Sequence, residues 1–266
     1  MSLWEVLLLG LVQGLTEFLP VSSSGHLVIF QSILGLEEPG VTLEVLLHFG
    51  TLISVLTVFR KDFLALFYVL KDKQQGHFLI LLLTGTLVTG LVGLLFKDYL
   101  ELAFKSTILV GFMLLITGTL LFLLAYLPVG SRKMDQMKLK DAALIGLIQS
   151  LAIIPGISRS GSTIFGSLWR GLDRETAIRY SFMLAVPVIF GATLLETKHF
   201  FSTSFDIKLL IYYLAGALTA FISGLFAIKT FIKLLTSNKL HYFSFYCWVL
   251  GILVIITSWP GLTDLF

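Results

Sequence analysis

Two short stretches of this chain concentrate side chains that could do chemistry. The first holds Gln13, Glu17, the serine triplet Ser22, Ser23 and Ser24, then Gly25 and His26. The second holds Gly156, Ser158, Arg159, Ser160, Gly161 and Thr163. Both interrupt otherwise apolar sequence. Arg159 is the most informative residue, because an arginine deep in a bilayer costs at least about 2.5–3.5 kcal/mol on insertion scales and needs a partner or a task. A planar guanidinium, neighbouring hydroxyls and glycines that let backbone N–H groups approach a ligand at a helix start suit phosphate oxygens. The competing reading is a structural ion pair between Arg159 and Glu17.

Gln13 and Glu17 are four residues apart and share a helix face. Glu17 falls in the last turn before Pro20, beside the serine triplet. A carboxylate inside a membrane is a functional candidate by default, able to hold a divalent cation, act as a base or neutralise Arg159. Gln13 alone reads as helix-packing glue and gains meaning only through its register with Glu17. His26, three residues after Ser23, can accept a hydroxyl proton, and a serine–histidine pair can run nucleophilic phosphoryl transfer. It could equally orient a water or simply be satisfied by backbone carbonyls. Spacing leaves open which serine faces the cleft. Glu44 and His48 form a second i,i+4 pair, for which a polar helix contact or membrane-edge solvation outweighs a metal-ligand role. Cys247 stands alone, which excludes an intramolecular disulfide and a cysteine-based metal site.

The elements that must position these residues are apolar. Of 266 residues 56% are hydrophobic and 13% charged, against typical soluble values of about 45–50% and about 25%. This composition excludes a cytosolic enzyme, a disordered linker and a disulfide-stapled secreted domain. It indicates an all-α integral membrane protein with no separate soluble domain. Six runs are long enough to cross a bilayer, at about 41–59, 78–96, 107–127, 180–197, 209–229 and 243–260. Residues 3–36 and 141–172 instead read as two short helices around a polar, glycine-containing break, tolerated at membrane depth only when protein or water surrounds it. Both are expected to be re-entrant hairpins. With that topology fourteen of the nineteen lysines and arginines fall on one side and four on the other, with Arg159 left inside a hairpin. The positive-inside rule makes the first side cytoplasmic and puts both termini on the outer, periplasmic side. The net charge of +3 fits a negatively charged membrane surface, and with no basic stripe carrying interleaved aromatics, no nucleic-acid partner is expected. The N-terminus lacks a basic region and a small-residue cleavage site, so a cleaved signal peptide is not expected.

Sliding the chain against itself at one fixed offset lays Leu11-Val12-Gln13-Gly14-Leu15 on Leu147-Ile148-Gln149-Ser150-Leu151, and Val21-Ser22-Ser23-Ser24-Gly25 on Ile157-Ser158-Arg159-Ser160-Gly161. The first hairpin enters from outside and the second from inside, so the expectation is two inverted repeats, 1–130 and 137–266, in one membrane domain. In such folds discontinuous helices meet near the midplane and bind ions or anionic groups. Because that plan is common among transporters, an anion or lipid-phosphate transporter or flippase is the rival to a hydrolase. A transporter needs the anion site but no nucleophile.

The stretch Gln13-Gly14-Leu15-Thr16-Glu17-Phe18-Leu19-Pro20-Val21-Ser22-Ser23-Ser24-Gly25-His26 and the stretch Pro155-Gly156-Ile157-Ser158-Arg159-Ser160-Gly161-Ser162-Thr163 closely resemble the two signature motifs of the bacterial undecaprenyl-diphosphatase, or bacitracin-resistance, family. The resemblance implies hydrolysis of undecaprenyl diphosphate to undecaprenyl phosphate and inorganic phosphate. That reaction recycles the lipid carrier of cell-wall glycan synthesis, in the bacterial inner membrane, at a site toward the outer face. It implies Glu17, Ser23, His26 and Arg159 as the core of the site, with Ser158, Ser160 and Thr163 around the phosphates. The expected partners are a polyprenyl diphosphate and membrane lipids, with a homodimer as a candidate assembly. Arg159 alone cannot balance a diphosphate, and an ionised Glu17 would repel it, so Mg²⁺ or Ca²⁺ is expected between Glu17 and the diphosphate, with Gln13 assisting through its carbonyl. In that scheme Ser23 attacks the terminal phosphorus and His26 takes or relays its proton, with a water activated by His26 as the close alternative.

Overall fold

The computed structural model describes residues 1–36, 41–69, 71–124, 126–128, 130–200, 207–236 and 241–259, without the side chains of 41–42, 195–200, 235–236 and 241. The side chains of Lys198 and Lys239, and Pro260 at the end of the last apolar run, therefore lie outside the described residues. Among the described residues the chain is helical, and the only strand-like pairing is an isolated bridge between Arg132 and Leu172. Four helices are long and apolar enough to cross a membrane: α5 (Lys73–Leu95), α7 (Thr107–Leu124), α10 (Arg174–Phe200) and α11 (Ile207–Thr236). A fifth candidate is α3 (Val41–Val58) together with α4 (Arg60–Leu66), bent by 82° at their junction. In α12 (His241–Ser258) the apolar helix Tyr242–Ser258 is shorter. Apart from a few residues at their ends, the described parts of the apolar runs read from the sequence lie on these helices. The short α4 and α6 (Lys97–Phe104) have no counterpart in that reading.

Each polar break separates two short helices. Before the first break, α1 (Leu3–Phe18) opens on a capping box in which Ser2 Oγ accepts from Glu5 N and Glu5 Oε2 accepts from Ser2 N. It ends where Leu19 turns to the extended backbone that a following proline favours. After the break runs α2 (Ser23–Ile33), and the second break lies between α8 (Leu139–Leu151) and α9 (Arg159–Trp169). Helices α2 and α9 begin at Ser23 and Arg159, the two positions that the internal repeat lays on each other, and each is N-capped by a serine hydroxyl. Ser22 Oγ accepts from Gly25 N at 3.3 Å and Ser158 Oγ from Gly161 N at 3.1 Å.

The first helix of each pair lies close against a long helix, α1 on α11 and α8 on α5. A Cβ on Gly10 would stand 2.4 Å from the Gly216 carbonyl oxygen, and one on Gly146 would stand 2.6 Å from that of Gly85. Only glycine permits such backbone approach, which is how helices gain van der Waals packing where lipid offers no hydrophobic drive. The end of α1 is fixed by Phe18, whose buried ring meets Phe182 of α10, itself packed on Phe59 and Phe231. The second pair is closed at its base by Asp141. Its carboxylate takes Arg132 at 2.5 Å, Arg170 at 2.7 Å and the Lys138 amide at 2.8 Å, tying the start of α8 to the end of α9.

Candidate functional site

The two breaks meet. Gly156 N donates to Ser22 Oγ at 3.1 Å, Ser160 Oγ donates to the Leu19 carbonyl at 3.2 Å, and a Cβ on Gly25 would lie 3.0 Å from Gly156 Cα. This contact asks for unusual backbone. Ser22 stands at φ 69°, the only positive φ outside glycine among the described residues, and Gly156 stands at φ 100°. A non-glycine residue there carries strain of order 1–3 kcal/mol, which persists only where its surroundings over-determine it. Here they do, since the Ser22 hydroxyl accepts two backbone amides and its carbonyl is met by the His26 ring. From α7, Thr117 pins the second break by donating to the Gly156 carbonyl at 2.8 Å and accepting from Ser158 N at 3.0 Å.

At this junction Glu17 is a hub. Its Oε1 accepts from Arg159 Nη2 at 2.9 Å, while its Oε2 accepts from Ser23 Oγ at 2.5 Å and from Gln13 Nε2 at 3.0 Å. The side chains of Glu17 and Arg159 are 6% and 13% exposed. The register of Gln13 with Glu17 and the meeting of Glu17, Ser23 and Arg159 follow the sequence expectation. The ion pair read from the sequence as the alternative to an anion site is therefore present, made by Arg159 and Glu17. A carboxylate 2.5 Å from a serine hydroxyl can take its proton, and a guanidinium beside it can hold an anion while that happens.

His26 does not join Ser23. Its Nδ1 lies 2.7 Å from the Ser22 carbonyl and its Nε2 lies 2.7 Å from the Tyr246 hydroxyl of α12, the two rings nearly parallel at 5.7 Å. Both ring nitrogens are thus engaged. Several other expected ligands also face inward. Ser24 pairs with Ser22 and Ser160 with Ser158, each at 3.3 Å, while Thr163 Oγ1 donates to the Arg159 carbonyl at 2.9 Å and lies 2.5 Å from Ser181 Oγ. Gly161 N is held by Ser158. These groups shape the break that presents Arg159.

Tyr246, Thr117, Ser181 and His48 belong to the site, and sequence reasoning does not place them there. Ser181 offers its carbonyl to Arg159 Nη1 at 3.4 Å. His48 Nε2 comes within 4.0 Å of Glu17 Oε2, while its helix neighbour Glu44 accepts from Gln31 at 3.0 Å. The i,i+4 spacing of Glu44 and His48 is the one local signal, and it says nothing of which helix they face. Tyr246 lies 220 residues from His26 and has no local signal at all.

Among the described residues no group of three or more histidine, cysteine, aspartate or glutamate side chains could cage a metal. The donors at the hub do suit a cation shared with substrate oxygens, because Gln13 Oε1 is a buried acceptor with no hydrogen-bond partner. Mg²⁺ is commonly bound this way, by one or two carboxylates with substrate phosphates completing its shell.

Residues 6–253 match the family described as bacitracin resistance protein BacA. An undecaprenyl-diphosphatase of Halothermothrix orenii is 47% identical over 97% of this chain and 99% of its own length. One from Alkaliphilus metalliredigens is 42% identical over 97% and 99%. Undecaprenyl-diphosphatase 4 of Bacillus cereus is 40% identical over the full length of both.

Proposed function

The chain belongs to the bacitracin resistance protein BacA family, and on that premise we propose that it hydrolyses undecaprenyl diphosphate to undecaprenyl phosphate and inorganic phosphate. The observation that carries the reading is the junction of Arg159, Glu17 and Ser23, which puts a nucleophile, its proton acceptor and an anion-binding cation on adjoining atoms. Arg159 holds the diphosphate, Ser23 Oγ attacks the terminal phosphorus and Glu17 takes the serine proton. The bond to the bridging oxygen breaks and undecaprenyl phosphate leaves, recycling the carrier for cell-wall glycan synthesis. Water then releases phosphate from Ser23. The geometry favours Glu17 over His26 as the proton acceptor, because Ser23 is bonded to Glu17 and both nitrogens of His26 are engaged. His26 then serves to hold the strained Ser22 turn. A rival transporter would have no use for a serine hydroxyl held on a carboxylate.

A divalent cation, Mg²⁺ or Ca²⁺, would be held by Glu17 and the unpartnered Gln13 carbonyl. When bound it supplies charge neutralisation for the diphosphate. The protein is a multi-pass membrane protein. Within it we place six spans and two re-entrant hairpins as inverted repeats, with both termini and the opening of the site on the outer side. The fourteen-to-four charge split and the single offset shared by the two breaks support that arrangement. The partners are the lipid diphosphate and membrane lipids, with a homodimer as the candidate assembly. Phosphate release from a polyprenyl diphosphate by detergent-purified protein, with and without divalent cation, tests the reading.

A further inference from the structure

We propose that His48 is a further catalytic residue, whose Nε2 holds and deprotonates the water that frees phosphate from Ser23. Its Nδ1 lies 2.9 Å from the Glu44 carbonyl oxygen, which can only accept, so Nδ1 carries the ring proton. With Nδ1 donating, Nε2 is the ring nitrogen that faces Glu17, and in the neutral tautomer it presents a lone pair there. At 4.0 Å from Glu17 Oε2, Nε2 is too far for a direct hydrogen bond. The gap suits a small donor lying between the two acceptors, with a water about 2.8 Å from each. The carboxylate does not need His48 for its own satisfaction, since Oε2 already accepts from Ser23 and Gln13. Among the described residues Nε2 takes no hydrogen bond.

Exposure points the same way. The Glu17 side chain is 6% exposed and that of His48 30%, so His48 forms the open edge of the hub, where a water could arrive. The ring is anchored there by Nδ1 on the Glu44 backbone carbonyl. His26, the other imidazole of the site, has no nitrogen to offer.

The step balances. Water oxygen bonds to phosphorus and one of its protons passes to His48 Nε2. The bond from Ser23 Oγ to phosphorus breaks, and the serine oxygen recovers its proton from Glu17. His48 then gives its proton to solvent.

The inference rests on the hydrolase reading, and two products read separately distinguish them. Purified wild-type protein, His48→Phe and His48→Gln would be given a polyprenyl diphosphate, and polyprenyl phosphate and inorganic phosphate followed from the first turnover. Phenylalanine keeps the ring without nitrogens, and glutamine keeps a polar side chain without a basic nitrogen, so one variant stands if the other fails to fold. In either variant the first equivalent of polyprenyl phosphate should be slowed far less than steady phosphate release. Steady phosphate release should fall about 100-fold or more, the usual range of a general base, with KM not raised. Steady phosphate release within threefold of wild type, or a first equivalent of polyprenyl phosphate slowed as much as phosphate release, overturns the role of His48. A wild-type protein that releases no phosphate overturns the hydrolase reading itself.

Discussion

Replacing Arg159 separates an anion-binding role from a purely structural one. Arg159 Nη2 donates to Glu17 at 2.9 Å and Nη1 to the Ser181 carbonyl at 3.4 Å, so both ends of the guanidinium fork point into the junction. Turned onto a phosphate, the fork makes two charge-assisted hydrogen bonds of roughly 1.5–3 kcal/mol each. Losing both is worth about 3–6 kcal/mol, or about 10²–10⁴ in rate at about 1.4 kcal/mol per factor of ten. Arg159→Ala should therefore cut kcat/KM by that factor, chiefly in kcat if the contact tightens in the transition state. Arg159→Lys keeps a point charge but one prong only, so a loss of about 10–100-fold is expected. Breaking a buried pair costs about 3–5 kcal/mol when the remaining charge is left bare. Glu17 is not left bare, because Gln13 and Ser23 still donate to it, so the alanine variant should fold and insert. The assay is phosphate release by monodisperse, detergent-purified variants over a range of substrate. Arg159→Ala within threefold of wild type would refute the anion role and leave only the ion pair.

Chelator should silence the enzyme, and Glu17→Gln, which removes the proton acceptor of Ser23 as well as a cation ligand, should lose activity at any cation concentration; full activity in excess chelator discards the cation held at Glu17 and Gln13. Gly156→Ala should lower the thermal midpoint and activity together. Alanine at that left-handed position is strained by about 1–3 kcal/mol, and its Cβ would meet the Val110 carbonyl at 2.6 Å. An unchanged midpoint would show that the breaks need not touch. Cysteines placed near Lys71 and near Lys105 should react with impermeant label from opposite sides of the membrane, and labelling from the same side would sink the proposed topology.

The sequence carries what is local. Apolar runs are long and unmistakable, and Pro20 and Pro155-Gly156 mark where helices stop, so the helices and the two breaks can be placed without a structure. The pairing of Gln13 with Glu17 follows from helix periodicity alone. The meeting of Glu17 with Arg159 is legible because each is a charge in an apolar setting and each needs the other. What the sequence does not carry is direction. Serine spacing suggests phosphate ligands, yet Ser22 and Ser158 turn their hydroxyls to backbone amides, as helix caps do. His26 stands close to Ser23 in sequence, and the left-handed turn at Ser22 aims its ring at Tyr246 instead. His48 reads as an ordinary helix contact because one helix does not reveal which neighbour it will face.

The central claim is that one junction of Arg159, Glu17 and Ser23 both binds and cleaves a lipid diphosphate. Its most direct test is stoichiometric product release by purified wild-type protein beside Ser23→Ala. The wild type should yield one inorganic phosphate for each polyprenyl phosphate, and Ser23→Ala should bind the lipid diphosphate without cleaving it. Cleavage by Ser23→Ala at the wild-type rate, or a wild type that binds the lipid and releases no phosphate, would contradict it.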